Sequence, residues 1–282
     1  MIMTENIYRP KIMRIVGVRE ETPTIKTFRL EFVSDNDKKS WTFKEGQFGE
    51  FSVPGEGEAP FCIASPVSLS DYIEITVKEV KRVTHAFQNL NEGDYATFRG
   101  PYGNWFPIDE FYGKNIMILG GGIGIAPLRG LIYRIIEERK KFSEFHLIYA
   151  ARCVDELVYK DEVYDWWKRE DISETMLCVD PGGETPDWKG KVSFIPPVLE
   201  QMKLSPKNRI IVVCGPPIMI RLCLEKLEEL GFAPQRIYTT LEAKMKCGLG
   251  KCGRCNIGDV YICKDGPVFT YTQIKSFPGE VW

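Results

Sequence analysis

Four cysteines near the C-terminus have the residue type and the spacing to bind a metal. They are Cys247, Cys252, Cys255 and Cys263, and glycine fills three of the positions between the first and the third. The pattern C-x4-C-x2-C-x7-C is typical of a plant-type [2Fe–2S] site, in which four thiolates hold two bridged irons. Tetrahedral zinc is the alternative, although zinc sites usually pair two short hooks across a longer gap. The spacing therefore favours an iron–sulfur cluster and one-electron transfer.

A glycine-rich loop suggests a second kind of chemistry. Gly120-Gly-Gly-Ile-Gly124-Ile-Ala-Pro127 follows a predicted strand and opens a predicted helix. Glycines let a backbone approach a pyrophosphate, and a helix N-terminus presents free N–H groups to it. The loop departs from G-x-G-x-x-G, so a tight strand-to-helix turn without a ligand is the alternative. We expect a dinucleotide site here.

A second loop of the same kind is Cys214-Gly-Pro-Pro217, at the end of a later buried strand. In open parallel sheets, ligands bind at the carboxyl ends of the strands. Both loops should therefore face one crevice, where the Cys214 thiol either lies against a nicotinamide ring or is simply a buried small side chain.

The N-terminal part contains one stretch with the right residues for a flat cofactor, Ala59-Pro-Phe-Cys-Ile-Ala-Ser-Pro66. Phe61 could stack on a ring, while Cys62 and Ser65 could make polar contacts. An ordinary strand followed by a proline turn explains the stretch equally well. Thr84 is predicted to be a helix N-cap, next to His85.

Composition narrows the class of protein. The 282 residues carry a formal net charge of −2, which gives no reason to expect nucleic-acid binding. We find no signal-peptide pattern and no apolar run long enough to insert into a membrane. The five remaining cysteines suit buried thiols in a reducing cytoplasm better than disulfides. No serine–histidine–acid pattern indicates hydrolysis, and His146, which begins an apolar strand, is predicted to be packed.

These motifs need two different scaffolds. Short alternating runs such as Asp71–Lys78 predict an antiparallel β-barrel over residues 1–112. Strands alternating with helices predict an α/β domain with a parallel sheet over 113–245, including an acidic helix near Asp155–Lys168. Residues 246–282 form a small C-terminal segment that contains the four cysteines.

Together the motifs resemble the ferredoxin–NADP reductase superfamily over essentially the whole chain. Within it, the sequence is similar to the gamma subunits of cytoplasmic NAD(P)-linked hydrogenases (sulfhydrogenases), and to the electron-transfer subunits of anaerobic sulfite reductase and of dihydroorotate dehydrogenase. The motifs that match are Gly46-Gln-Phe48, Gly100-Pro-Tyr-Gly103, the two glycine loops and the cysteine segment. The resemblance implies a flavin-binding barrel, an NAD(P)-binding α/β domain and a C-terminal [2Fe–2S] segment.

The resemblance also implies site residues. The flavin would be contacted by Phe61, Cys62, Ile63, Ser65, Val77, Lys78, Val83 and Thr84. The nicotinamide nucleotide would be contacted by Gly121, Gly122, Gly124, Arg152, Cys214, Gly215 and Met219. Cys62 and Cys214 would lie at the reacting rings. The arginine of the superfamily's R-x-Y-S motif is replaced by Ala59, which leaves FAD or FMN open.

The implied function is an NAD(P)H-linked diaphorase subunit. Electrons would pass between NAD(P)H, a flavin (FAD, with FMN the alternative) and a [2Fe–2S] cluster, to or from another redox subunit such as a hydrogenase or sulfite reductase. A free-standing NAD(P)H reductase of small acceptors is a second hypothesis. A third is a nucleotide-sensing scaffold with a zinc knuckle and no turnover.

Overall fold

The computed structural model describes residues 6–69, 71–165, 167 and 171–279. Within these ranges the chain forms a six-stranded sheet, a seven-stranded sheet and a two-stranded ribbon. The first sheet lies in the N-terminal part, as the alternating runs predict. The second sheet and the ribbon lie in the C-terminal part.

The first sheet is antiparallel and barrel-like, with strand order β4-β3-β6-β1-β2-β5. Its strands are β1 (Lys11–Thr22), β2 (Ile25–Phe32), β3 (Phe48–Val53), β4 (Gly57–Cys62), β5 (Ile73–Lys78) and β6 (Tyr95–Tyr102). Two short helices, α1 (Asp35–Ser40) and α2 (Arg82–Gln88), accompany it. The inward-facing residues, Phe28, Leu30, Phe51 and Ile75 among them, are buried in one apolar core.

Strand β5 shows what the sequence pattern did not reveal. Ile73, Ile75 and Val77 point into the barrel core as predicted. Glu74 and Thr76, on the opposite face, are buried too, with 4% of each residue exposed. Side chains of the second domain cover this face. The alternation in β5 therefore separates an apolar buried face from a polar buried face.

The second sheet has the order β10-β9-β8-β7-β11-β12-β15. Its strands are parallel except for β15 (Val268–Thr270), which pairs antiparallel with β12. Its first strands are β7 (Asn115–Gly121), β8 (Phe145–Ala151), β9 (Glu174–Val179), β10 (Lys191–Val192), β11 (Arg209–Cys214) and β12 (Ile237–Thr240). Helix α3 (Ala126–Glu137) packs on one face. Helices α5 (Ile195–Met202) and α6 (Pro217–Glu229) pack on the other. This confirms the predicted parallel sheet covered on both faces.

The predicted acidic helix over Asp155–Lys168 is wrong in its extent. A 3₁₀ turn at Val154–Glu156 is followed by the short helix α4 (Lys160–Tyr164), while residue 168 lies outside the described residues. Tyr159 between them adopts the left-handed conformation with φ 58°, which a continuous helix does not allow. Hydrogen bonds of this tyrosine to Glu21 and Thr76 of the barrel account for the break.

The C-terminal segment adds β13 (Asn256–Ile257), β14 (Val260–Tyr261), α7 (Ile262–Asp265), β15 (Val268–Thr270) and α8 (Tyr271–Lys275). Strand β15 pairs with β12, so the segment completes the edge of the second sheet. Asn104 of the barrel binds the same segment through the Val268 N–H (2.8 Å) and carbonyl (2.7 Å). Among the described residues, no helix is both long and apolar enough to cross a bilayer.

Candidate functional site

The cysteine loop folds tightly because glycine occupies its turns. Gly248, Gly250 and Gly253 have φ values of +72°, +69° and +70°, which L side chains rarely adopt. At Gly248 a Cβ atom would also lie 2.5 Å from the Tyr102 ring. Glycine at this position lets the loop rest directly on the barrel.

Backbone N–H groups point at the thiols. The Cys247 sulfur accepts from Lys251 N (3.3 Å) and Leu249 N (3.4 Å), and the Cys263 sulfur accepts from Gly250 N (3.1 Å). Burial raises the pKa of Cys247, but these donors outweigh it and lower the pKa to about 6. A loop that stabilises a thiolate in this way is suited to bind a metal cluster.

The four cysteines are neighbours within this loop. Cys252 is one of the groups that lower the Cys247 pKa, whereas burial, together with Cys255 and Cys247, raises the Cys263 pKa to about 12. The Cys263 N–H lies 3.5 Å from the Cys255 sulfur. Within the described part of the chain, no three His, Cys, Asp or Glu side chains are grouped so that one ion could be held. A two-iron cluster on these four thiols stays a prediction from their spacing.

Arg99 of β6 fixes this loop to the barrel. Its guanidinium donates to the carbonyls of Cys247 (3.1 Å) and Lys246 (3.2 Å). It also forms an ion pair with Glu58 on β4, with Nε 2.9 Å from Oε2. The cysteine loop is thereby connected to the strand that contains Phe61 and Cys62.

The predicted nucleotide crevice lies between β7 and β11, where the order of the strands in the second sheet reverses. From β7 the chain continues to β8 on one side, whereas from β11 it continues to β12 on the other. Ligands bind outside the carboxyl ends of such adjacent strands. The register places Cys214 opposite Gly120, so the two predicted loops do share one crevice.

Most glycines of the crevice allow its two loops to lie in direct contact. A Cβ on Gly124 would lie 2.5 Å from the Gly215 Cα, and one on Gly121 would lie 2.2 Å from the Met219 sulfur. Gly122 differs, since φ is +52° and nothing lies within 4 Å of its Cβ position. Gly122 is therefore the point at which a ligand can approach the backbone.

Arg152 follows β8 at the same edge of the sheet. Its side chain is 79% exposed and its nearest carboxylate partner, Glu156, is 3.9 Å away. The guanidinium is thus available to a phosphate or ribose.

Cys62 and Cys214 come from different sheets, and the partly buried Cys62 packs against the core cluster that contains Cys214. Burial raises both thiol pKa values, that of Cys214 to about 12, and the Cys214 sulfur is 3.0 Å from the Thr240 hydroxyl. Both side chains are neutral thiols at physiological pH. They can pack against or hydrogen-bond a ring, but they are not activated nucleophiles.

Strand β4, on which the flavin contacts are predicted, ends at Cys62. The half-buried Phe61 ring packs against Phe87 (5.4 Å between centroids) and Phe51 (6.2 Å). Ile63 is buried in the barrel core, and the Ser65 hydroxyl accepts from the Glu74 N–H (3.2 Å). Ser65 therefore holds the strand, and its hydroxyl is already engaged.

The remaining predicted flavin contacts lie around α2. The Val77 side chain is in the barrel core, Lys78 is exposed, and Val83 packs beside Gly57. The interpretation of Thr84 as the N-cap is wrong, because the helix begins at Arg82. Instead, the Thr84 hydroxyl accepts from the N–H groups of Val80 and Lys81, both at 2.8 Å.

The two histidines are not at the crevice. His146 is buried, as predicted, with Nδ1 3.2 Å from Arg209, and burial together with that arginine lowers its pKa. His85 is exposed and contacts Glu79 at 2.6 Å.

Sequence reasoning missed three residues that the structure places at these sites: Arg99, Arg129 and Thr240. Arg129 could have been recognised as a charged residue within the apolar pattern of α3. Arg99 directly precedes the Gly-Pro-Tyr-Gly motif.

Two parts of the chain match known domain families. Residues 118–225 match the oxidoreductase NAD-binding domain, and residues 242–275 match the iron–sulfur cluster binding domain of dihydroorotate dehydrogenase B. These ranges contain the glycine loops and the four cysteines respectively.

Curated relatives extend over the whole chain. Sulfhydrogenase 1 subunit gamma of Pyrococcus furiosus is 36% identical over 99% of this chain and 97% of its own length. The probable electron transfer subunit of dihydroorotate dehydrogenase B (NAD(+)) of Methanocaldococcus jannaschii is 34% identical, over 95% and 92%.

Solved structures show the same fold. An NADH-dependent reduced ferredoxin–NADP oxidoreductase superposes with a TM-score of 0.73 at 24% identity, covering 92% of this chain and 88% of that one. A ferredoxin–NADP⁺ reductase from Neisseria gonorrhoeae gives 0.69 at 21% identity, covering 82% and 97%.

The chain has the fold of the ferredoxin–NADP reductases, and it matches an oxidoreductase NAD-binding domain and an iron–sulfur segment, which confirms the predicted fold and resemblance. Its general chemistry is NAD-linked electron transfer through a flavin and an iron–sulfur cluster. More narrowly, the chain belongs to the family that includes the sulfhydrogenase gamma subunits and the electron-transfer subunits of dihydroorotate dehydrogenase B.

Proposed function

We propose that this protein is a diaphorase-type subunit that transfers electrons between NAD(P)H, FAD, a [2Fe–2S] cluster and a partner redox subunit. The observation that supports this most directly is the meeting of three elements on one barrel. Strand β4 ends at Cys62, which packs against the core cluster that contains Cys214 of the crevice loop, and Arg99 joins the cysteine loop to β4 through Glu58. A flavin bound between these elements would exchange a hydride with nicotinamide and single electrons with the cluster.

Each predicted residue then has a task that its surroundings allow. Phe61 supports the flavin ring, and the neutral thiols of Cys62 and Cys214 line the space where the two rings would meet. Gly122 offers backbone to the pyrophosphate, and Arg152 offers a cation to the nucleotide. The cluster ligands are Cys247, Cys252, Cys255 and Cys263. FAD is favoured over FMN because the Neisseria gonorrhoeae reductase, which has the same fold, was solved with bound FAD.

The three-part division at 1–112, 113–245 and 246–282 and the cytoplasmic location belong to the same proposal. The domain matches over 118–225 and 242–275 support the division. The names of the relatives, as subunits of sulfhydrogenase and of dihydroorotate dehydrogenase, support a larger redox complex as the partner. Exposed Cys252 lies between exposed Lys251 and Arg254, and this basic edge suits an acidic partner surface.

The test is Cys263→Ser, with Cys223→Ser as the matched control, because Cys223 is equally buried but lies in α6. Both variants are purified without oxygen. We expect Cys263→Ser to lose acid-labile sulfide, the visible cluster absorption and electron delivery to the co-purified partner, while NAD(P)H-dependent dye reduction persists. The control should keep all four.

Two results would contradict the proposal. If dye reduction disappears together with the cluster in folded, flavin-loaded protein, the order of carriers is wrong. If the wild-type chain contains zinc without sulfide, the protein is the nucleotide-sensing scaffold considered above.

A further inference from the structure

Helix α3 begins at the end of the glycine loop, and two consecutive residues of it contact the segment that follows β4. Arg129 Nη1 donates to the Ala64 carbonyl at 2.9 Å. At the next position, a Cβ on Gly130 would lie only 3.2 Å from the Ser65 carbonyl oxygen. The element that begins at the nucleotide loop therefore contacts the backbone of the segment that flanks the flavin.

Arg129 is also the centre of a charge network between the two domains. Its residue is 5% exposed. Nη1 contacts Glu74 of the barrel at 2.6 Å, while Nε and Nη2 each contact Glu162 of the second domain at 2.8 Å. A planar guanidinium with a rigid fork of donors fixes direction as well as distance. Contacts of this kind restrict how one domain sits on the other.

The loop after β8 is attached to the same network. The Tyr159 N–H donates to Glu21 of the barrel at 2.8 Å, and its hydroxyl is hydrogen-bonded to Thr76 of β5. Glu162 additionally accepts from Arg19 of the barrel at 3.4 Å. This loop starts at Arg152, so both predicted nucleotide-binding elements are fixed to the barrel.

We propose that Arg129 is a positioning residue for hydride transfer, which holds the Ala64–Ser65 backbone beside the flavin at a set distance from the nicotinamide crevice. The inference rests on the proposed function and adds a residue to it. Hydride transfer is sensitive to such placement, because a misplacement of about 1 Å costs on the order of 100-fold in rate. Arg129 would act through this backbone segment and not by contact with the flavin or the nicotinamide.

The first test is Arg129→Lys, which keeps the charge but removes the fork. Arg209→Lys is the matched control. Arg209 is 2% exposed and contacts Glu144 and His146, all within the second domain and away from the crevice. Flavin reduction by saturating NADH or NADPH, whichever reduces wild type, is followed by anaerobic rapid mixing. Nucleotide affinity is measured by titration with the oxidised nucleotide, NAD⁺ or NADP⁺.

We expect Arg129→Lys to lower the limiting rate of flavin reduction by about tenfold or more. Nucleotide affinity and flavin content should change by less than about twofold. Arg209→Lys should leave all three unchanged. An unchanged limiting rate in folded, flavin-loaded Arg129→Lys overturns the proposal.

Gly130→Ala is the second test, since it alters the same contact without altering charge. The added methyl forces the Ser65 carbonyl to move by a few tenths of an ångström. We expect a smaller loss, about two- to fivefold, in the same limiting rate. A loss in Arg129→Lys with none in Gly130→Ala would mean that the charge network acts by a route other than this backbone.

A readout on the flavin-free chain separates the two proposals. Amide hydrogen exchange at residues 63–65 should be faster in Arg129→Lys than in wild type and unchanged in Arg209→Lys. If exchange changes as expected but the chain binds no flavin, the proposed function fails. If the chain binds flavin and exchange does not change, the positioning role alone fails.

Discussion

Two buried glutamates of the barrel, one at each of its interfaces, have opposite environments. Glu74 on β5 faces the nucleotide-binding domain and accepts from Arg129 (2.6 Å) and Arg29 (2.9 Å). Burial raises the Glu74 pKa, but the two arginines outweigh it and the net pKa is lowered. Glu50 on β3 lies on the side of the cysteine segment. Its Oε1 has no partner among the described residues, and burial next to Glu58 raises its pKa to about 8.

The difference follows from where each arginine directs its donors. Arg129 donates to a carboxylate from each domain, so the charges at that interface balance. Arg99 lies opposite Glu50 in the β3–β6 pairing, yet it donates to Glu58 and to the carbonyls of the cysteine loop. The nucleotide-binding domain is thus held by paired charges, whereas the cysteine segment is held by backbone contacts beside a neutral acid.

The largest effect should come from unbalancing the charged interface. In Glu74→Gln, Arg129 and Arg29 lose a buried carboxylate, and breaking a buried ion pair costs about 3–5 kcal/mol. Denaturant unfolding at pH 7 should show a loss of that size in the free energy of unfolding. A loss below about 1 kcal/mol would mean that the network is not what joins the domains.

Acid should remove the same contribution. The folded pKa of Glu74 is below its ordinary value of 4.5, so its ionisation stabilises the fold above pH 4.5 and is lost as pH falls through the folded pKa. The difference in unfolding free energy between wild type and Glu74→Gln should therefore shrink below about pH 4.5. A difference that is constant with pH would contradict this assignment.

At the other interface, Glu50→Gln should stabilise the protein. The unfolded state ionises Glu50 near its ordinary pKa of 4.5, whereas the folded state keeps the proton until about pH 8. Wild type therefore loses stability as pH rises through this window, and the loss is constant above it. We expect Glu50→Gln to gain up to about 5 kcal/mol above pH 8 and almost nothing below pH 4.5, measured as unfolding free energy against pH.

The attachment of the cysteine segment can be weakened separately with Asn104→Ala. This side chain makes three hydrogen bonds to the segment, with the carbonyls of Asp265 and Val268 and with the Val268 N–H. Removing them should cost about 1–3 kcal/mol. The change should appear as faster amide hydrogen exchange at residues 265, 266 and 268–270, while residues 63–65 exchange as in wild type.

The smallest effect is expected at an exposed pair on the barrel. Arg82 lies 2.9 Å from Glu56, but their side chains are 72% and 45% exposed. Exposed ion pairs contribute about 0–1 kcal/mol, so Arg82→Ala should change the unfolding free energy by less than that. A larger loss would show that exposure is a poor guide to the value of ion pairs in this protein.

Several features could be predicted because they depend on neighbours in sequence. The cysteine spacing and the glycine loop before α3 were both readable, since each is a local requirement of backbone geometry. The helix expected over Asp155–Lys168 and the capping role of Thr84 were not. Tyr159 is held in a left-handed conformation by barrel residues distant in sequence, and Thr84 binds the backbone of Val80 and Lys81 from inside the helix.

The order of residue types thus determined the two scaffolds and the glycine turns, because those follow from local propensity and spacing. Only the tertiary structure decided that Glu74 and Glu50 are both buried and have opposite pKa directions. A carboxylate's ionisation depends on which distant arginine reaches it, and that is set by how the domains pack. The same packing gives Arg129 its contact with the Ala64 carbonyl, which no local pattern contains.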